Sequence, residues 1–378
     1  VINLPPLQEL TVWNTSKCNL RCEYCYVYRL YEDIPRQEMQ KETMDALIHF
    51  AMHHLMFNGR IWFFGGEPLS SFETIKYITE KARAENLAIQ FGLTSNCTLI
   101  DEEKAKWMRK YNYQILCSLD GSQVLHNKHR KYADGRGSFE DAWRGIQLVR
   151  KYLNPVPQIR WTMNIDTVEG TTEAMKNLIE QGLTNLAIDP VYEVKWDDDA
   201  LKTLRNELIK MSDLLDKCYE KGIPVFSMFV RDVVTAVTNT SRVNWTDRCG
   251  LGQGGVGITP KGDINPCHRF CSSGQPVIGT VFEGFSPKRI EWIENWMMIP
   301  PYSEKPEQCL NCSFKNACMG GCIAMNWDLF GDPHIVPESM CKIKQLTVEV
   351  FKPLVLKHKD NQTFKQLYGI GLQRPCVE

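Results

Sequence analysis

Lys17-Cys18-Asn19-Leu20-Arg21-Cys22-Glu23-Tyr24-Cys25-Tyr26 sets three cysteines at the spacing C-x3-C-x2-C, with an aromatic residue before the third. Cysteine thiolates hold four-iron clusters, normally four at a time. A tight loop that supplies only three leaves one iron open to an exchangeable ligand, and that opening is where chemistry can start. A zinc loop and a chance grouping of core cysteines are the two other readings. Zinc sites usually pair two cysteines with further Cys or His nearby, and no fourth ligand lies within this loop.

Outward from the loop, short β-rich runs alternate with stretches of helical period from residue 8 to about 221, as expected of βα units on a parallel sheet. The strands are predicted at about 8–14, 60–64, 88–93, 114–119, 158–163 and 185–191, each followed by a helix. Ser71 and Asp101 stand as helix start signals. The distinctive residues all come just after strands: the cysteine loop, then Gly65-Gly66-Glu67-Pro68, then Thr94-Ser95-Asn96, then Ser118-Leu119-Asp120-Gly121. Chemistry gathers at that edge of α/β barrels. The predicted fold is therefore α/β, a partial (β/α)6 TIM-like barrel, open on one side to admit a large substrate.

Past residue 245 glycine, proline and cysteine replace the long periodic runs, which marks a second, small cysteine-rich domain. The expected organisation is a barrel over 1–221, a connecting segment over 222–248, the cysteine-rich domain over 249–341 and a helix and tail over 342–378. Between Cys249 and Cys267 the sequence suggests a β-hairpin turning at Lys261-Gly262-Asp263.

Forty-four Lys and Arg nearly cancel forty-five Asp and Glu, so no general field draws nucleic acid or an anionic membrane. No run of about eighteen apolar residues and no signal peptide is visible, which makes the cytoplasm the expected location. Fifteen cysteines, odd in number and bunched, point to metal binding in a reducing compartment instead of disulfides.

The three-cysteine loop followed one strand later by Gly65-Gly66-Glu67-Pro68 resembles the radical S-adenosylmethionine (SAM) superfamily. That resemblance implies that the open iron chelates the methionine end of SAM, whose reductive cleavage gives a 5'-deoxyadenosyl radical. It assigns the first cluster to Cys18, Cys22 and Cys25, an adenine contact to Tyr24, and the SAM ammonium to Glu67 and the backbone of Gly65, Gly66 and Pro68. Ser95, Asn96, Ser118, Asp120 and Arg130 become further SAM contacts, with Asn164 near the ribose. Arginine's fork suits a carboxylate. His126 and His129 read better as satisfied loop histidines. Cys97, Cys117, Cys218 and Cys376 read as plain thiols, with Cys97 having the best claim to more.

The set Cys309-x2-Cys312-x5-Cys318-x3-Cys322, followed by Cys341 and preceded by Cys249 and Cys267, is similar to the SPASM domain pattern. The resemblance implies two auxiliary clusters, hence three four-iron clusters in all. Cys309, Cys312, Cys318 and Cys341 would bind the outer one, and Cys249, Cys267 and Cys322 the inner one. Its fourth place is open to Cys271 or to substrate or water. A zinc ribbon is the competing reading, since tetrahedral sulfur sites suit both metals.

Such proteins mostly modify peptides or proteins. The leading expectation is a maturase that installs a thioether or carbon-carbon crosslink in a ribosomally made peptide, fed by a donor such as flavodoxin or ferredoxin. The runner-up is an anaerobic sulfatase-maturing enzyme forming formylglycine. Sulfatase maturases resemble one another in having an aspartate after the cysteine matching Cys267; here His268 stands there, itself able to take a proton. A leader-capturing winged-helix domain is not visible ahead of Cys18. A separate leader-binding protein, residues upstream of Val1 and another mode of recognition all stay open. An iron-sulfur electron carrier without catalysis and a zinc-binding module are the readings from other classes.

Overall fold

The structure, a computed structural model, describes residues 6–29, 36–238, 252, 254–293, 307–315, 317–318 and 320–370. The chain divides into two compact units. The first comprises Val1–Leu119, His126–Pro157 and Asp247–Met298, the second Asp120–Leu125, Gln158–Thr246 and Ile299–Glu378.

In the first unit, strands β1 (Leu7–Thr15), β2 (Leu55–Gly65), β3 (Gln90–Ser95) and β4 (Gln114–Ser118) pair in parallel in that order. Helices Lys41–His54, Phe72–Ala84 and Glu102–Lys110 lie between them in sequence. Leu10, Val12, Ile61, Phe63, Phe91 and Leu93 are fully buried, which explains the apolar alternation that made these strands readable. The second strand begins five residues earlier than expected, because Leu55 pairs with Leu7 ahead of a register shift.

In the second unit, β5 (Gln158–Met163), β6 (Asn185–Pro190) and β7 (Phe226–Ser227) are parallel, the last of them unanticipated. The predicted hairpin exists as β8 (Gly255–Ile258) and β9 (Asp263–Asn265). It belongs to the first unit, where β8 pairs in parallel with β1. β10 (Gly279–Thr280) and β11 (Gly284–Phe285) continue the antiparallel run.

Asp101 caps its helix as expected, accepting the backbone N–H of Lys104 at 2.8 Å. Ser71 also stands at the start of its helix, Phe72–Ala84, but makes no capping bond to the backbone: it follows the short 3-10 turn Pro68–Ser71, and its hydroxyl pairs with that of Thr74 at 2.8 Å. Among the described residues no helix is long and apolar enough to cross a membrane.

The long helix Glu338–His358 packs in the second unit against helix Met228–Thr238, with Phe351 stacked on Phe229 at 5.9 Å. Lys344 on that helix pairs with Asp232 at 2.6 Å. Burial works against its charge, yet Asp232, Tyr192 and Asp189 hold its pKa above the usual lysine value. Asp189 in turn meets Arg160 at 2.7 Å and accepts from the Tyr192 hydroxyl at 2.9 Å. Breaking one partner of a buried pair strands the other charge. Lys344→Met is thus expected to destabilise the protein by about 3 kcal/mol. Chemical denaturation checks this, and a loss below about 1 kcal/mol would mean the pair is solvated like a surface bridge.

Candidate active site

The cysteine loop leaves the end of β1 and is clamped from both sides. Gly66 N–H donates to the carbonyl of Thr15 at 3.1 Å, and Glu67 N–H to that of Lys17 at 2.7 Å. Those contacts need glycine. A Cβ on Gly65, whose φ is +128°, would lie 2.2 Å from the Thr15 carbonyl oxygen, and one on Gly66 would lie 2.1 Å from that of Lys17. Gly66→Ala must push backbone against backbone and is expected to cost about 2 kcal/mol, within the range of overpacking. Iron bound per chain after anaerobic reconstitution should fall with it; full iron loading at unchanged stability would show that the loop tolerates the shift.

Glu67 is buried, and both its oxygens are engaged. Oε1 accepts from Leu69 N–H at 3.1 Å and Ser95 Oγ at 2.8 Å, and Oε2 from Asn96 N–H at 2.7 Å. Burial pushes its pKa up to about 7, against the pull of those donors and of Arg130. Its carboxylate thus ties the glycine loop to the end of β3. From there Asn96 Nδ2 donates to Asn19 Oδ1 at 2.9 Å, and Asn19 Nδ2 to Thr98 Oγ1 at 2.8 Å. Asn19, inside the cysteine loop, and Thr98 form a link that the sequence reading missed; a polar residue between two closely spaced cysteines was the available signal.

The three thiols are half-buried and act on one another. Burial, then Glu67, and then Cys22 and Cys25 raise the Cys18 thiol well above its usual range. Cys18 Sγ accepts Leu20 N–H at 3.4 Å; Tyr28 N–H donates to the Cys25 carbonyl at 3.2 Å, and the backbones of Tyr28 and Val27 pull against the upward shift of the Cys25 thiol. Three clustered sulfurs supplied with N–H donors fit an iron-sulfur group.

Arg130, buried, places its guanidinium 5.4 Å from the Tyr24 ring centroid and acts electrostatically on both Cys25 and Glu67. His129 bonds Glu23 at 2.9 Å and His126 bonds Ser138 at 3.0 Å, so both are satisfied as expected, although they sit in the helix Gln123–His129 and not in a loop. Ser118 ends β4. Asp120 and Asn164 lie in the second unit. There Asp120 accepts Thr162 N–H at 2.9 Å, and Asn164 caps the turn Ile165–Thr167.

Cys267 and Cys271 also belong to the first unit. A Cβ on Gly257 would sit 2.5 Å from the Cys267 carbonyl and 2.6 Å from Cys271 Sγ, so the bare glycine of β8 is what admits this turn. Burial and then Cys267 push the Cys271 thiol well up. Cys271 packs with Trp13 and Val27 beside Cys25 and Tyr26. His268 stands on Phe64 with ring centroids 4.7 Å apart. It also lines a cavity of about 520 Å³ with Glu9, Thr11, Arg60 and Gln90. Arg60 pairs with Glu9 there and lies 4.9 Å from the Trp62 centroid. This polar row was also missed, although charged residues alternating within apolar strands mark a face that lines a cavity.

In the second unit burial, then Cys318, Cys309 and Cys312, raise Cys341 to about 11, so the four thiols share one neighbourhood. Cys312 Sγ accepts Phe314 N–H and Cys318 Sγ accepts Gly320 N–H, both at 3.4 Å. Cys322 directly precedes the helix Ile323–Phe330 and makes no side-chain capping bond. Cys249 and Cys376 lie outside the described residues. Among those residues no three Cys, His, Asp or Glu side chains converge on a single-ion site. In a four-iron cluster each thiolate takes its own iron, so convergence on one point is not required.

Residues 15–182 match the radical SAM superfamily model. The chain is 25% identical over 341 residues to a cysteine-type anaerobic sulfatase-maturating enzyme of Clostridium perfringens, covering 84% of this chain and 89% of that protein. It is 22% identical to the radical SAM cyclopropyl synthase TigE of Paramaledivibacter caminithermalis, over 88% and 71% of the two chains. In fold it is similar to the structure of histidine-tagged anSMEcpe with bound AdoMet, at TM-score 0.79 and 22% identity, covering 97% and 98%. It is also similar to native anSMEcpe with bound AdoMet and Cp18Cys peptide, at TM-score 0.76 and 23% identity, covering 94% and 99%.

Proposed function

Taking residues 15–182 as a radical SAM domain, we propose that this chain is a maturase that installs a thioether or carbon-carbon crosslink in a ribosomally made peptide. One observation carries the proposal: a three-thiol loop clamped by Gly65 and Gly66 coexists with a separate neighbourhood of four thiols. A carrier needs the second kind of site but not the first.

Cys18, Cys22 and Cys25 would hold the SAM cluster, and Cys309, Cys312, Cys318 and Cys341 an outer auxiliary cluster. Cys267 would take part in an inner one, whose fourth place is open to Cys271 or to substrate or water. With SAM bound and one electron from an external donor, the group at Cys18, Cys22 and Cys25 would supply a 5'-deoxyadenosyl radical able to abstract hydrogen from a carbon of the substrate. The chain's own part is placement and exclusion of water. The Tyr24 ring, held by Arg130, offers a face for adenine, and Gly65 and Gly66 bring backbone carbonyls within reach of an ammonium. His268, which lines the polar cavity, would take a proton from a substrate group. An external one-electron donor of flavodoxin or ferredoxin type is required.

Formylglycine formation is the second reading, favoured by the near full-length likeness to the Clostridium enzyme. His268 in place of an aspartate weighs against it. Anaerobic incubation of a panel of cysteine-containing peptides with enzyme, SAM and reductant separates the two. Loss of two hydrogens with a span that resists fragmentation indicates a crosslink, whereas exchange of thiol sulfur for a carbonyl oxygen indicates formylglycine. Accumulation of 5'-deoxyadenosine with no change in any peptide would remove the peptide reading.

A further inference from the structure

The Tyr26 hydroxyl is buried and, among the described residues, has no hydrogen-bond partner. Its ring is fixed. The Arg269 guanidinium lies 4.4 Å from the ring centroid, the His268 ring 6.4 Å away, and Trp13, Val27 and Phe64 belong to the same apolar cluster. The sulfurs of Cys25, Cys267 and Cys271 are all close enough to act on the phenol electrostatically. A buried O–H left without an acceptor costs about 1–3 kcal/mol, so this position calls for an acceptor.

The two sides differ in what they lack. Around Cys25 the backbone is already engaged, with Tyr28 N–H on the Cys25 carbonyl at 3.2 Å and the Tyr28 and Val27 backbones acting on its sulfur. Cys271 sulfur has its own backbone N–H, and it points toward the Cys267 carbonyl at 3.7 Å. We propose that the Tyr26 hydroxyl donates a hydrogen bond to a sulfur of the iron-sulfur group held at Cys267 and Cys271, and so raises the reduction potential of that group. The inference rests on reading these two cysteines as auxiliary-cluster ligands. A hydrogen bond to a thiolate or sulfide stabilises the more negative, reduced state. The dry surroundings of Trp13, Val27 and Phe64 strengthen it. Tyr26 is in this sense a tuning residue, acting on the substrate only through the cluster.

Tyr26→Phe removes one oxygen and keeps the ring that Arg269 covers. In the anaerobically reconstituted full chain it should shift the auxiliary reduction equilibrium about tenfold toward the oxidised form, roughly 59 mV for one electron. Iron content and the potential of the SAM-responsive cluster should stay as they were. A redox titration followed by electron paramagnetic resonance reads both, with Cys267→Ala identifying the auxiliary signal. Genetically incorporated 3-fluorotyrosine at position 26, a stronger donor, should move the potential upward and serves as the second arm if the Phe variant loads iron poorly. Unchanged iron and signals in Cys267→Ala would remove the ligand reading itself. An auxiliary cluster present, yet indifferent to both substitutions at Tyr26, would overturn the hydrogen bond alone. So would a shift confined to the SAM-responsive signal.

Discussion

Protein carrying Cys22→Ala, reconstituted and reduced anaerobically, is expected to form no more 5'-deoxyadenosine from SAM than a reaction without enzyme. The argument is one of ligand count. In the proposed site Cys18, Cys22 and Cys25 would be three sulfurs for three irons of a four-iron cluster, and an open iron has meaning only if the other three are held. The thiols of Cys18 and Cys25 are pushed above their usual range chiefly by burial, so their protons leave when a metal centre compensates the charge. Two sulfurs cannot keep that arrangement. Cys97 and Cys117 offer no replacement: both are fully buried, and the Cys97 thiol, in the turn after β3, donates to the Ser95 carbonyl at 3.5 Å. Cys97→Ala is accordingly the control, expected to leave SAM cleavage intact. Undiminished 5'-deoxyadenosine from the Cys22 variant would remove this loop from the chemistry.

The features legible in the sequence were those whose physics is local along the chain. Cysteines separated by three and by two intervening residues, and a glycine pair after an apolar strand, announce themselves by spacing alone, and the structure supplies the reason for the pair in the Thr15 and Lys17 carbonyls. Long-range partners were not legible. Glu67 was expected to meet an ammonium group. Its oxygens are first of all a staple to Ser95 and Asn96, twenty-eight and twenty-nine residues away. Cys271 stayed open because sequence proximity fixes no geometry; the turn admitted by Gly257 brings it beside Cys267. The Arg269 cation over Tyr26 and the Lys344–Asp232 pair join segments whose approach only the fold determines. A pairing rule along the sequence carries no trace of them.

Cys312→Ala should separate the two halves of the proposed reaction. Cys309, Cys312 and Cys318 all act on Cys341 electrostatically, and all four belong to the second unit, whereas the three-thiol loop belongs to the first. Removing the Cys312 sulfur leaves three thiols and frees the Phe314 N–H that it accepted at 3.4 Å. The expected loss is one cluster, about four irons per chain. Cleavage of SAM in the absence of substrate should persist, since Cys18, Cys22 and Cys25 are untouched. Turnover of the peptide should fall to background, because an organic radical on the substrate has to surrender an electron or form its bond beside a centre able to accept it. A variant with unchanged iron would show that Cys312 is a plain thiol, and one that loses SAM cleavage as well would show that the two sites do not load independently. Iron loss with full peptide turnover would make the outer cluster structural, and would leave the site at Cys267 and Cys271 as the electron acceptor.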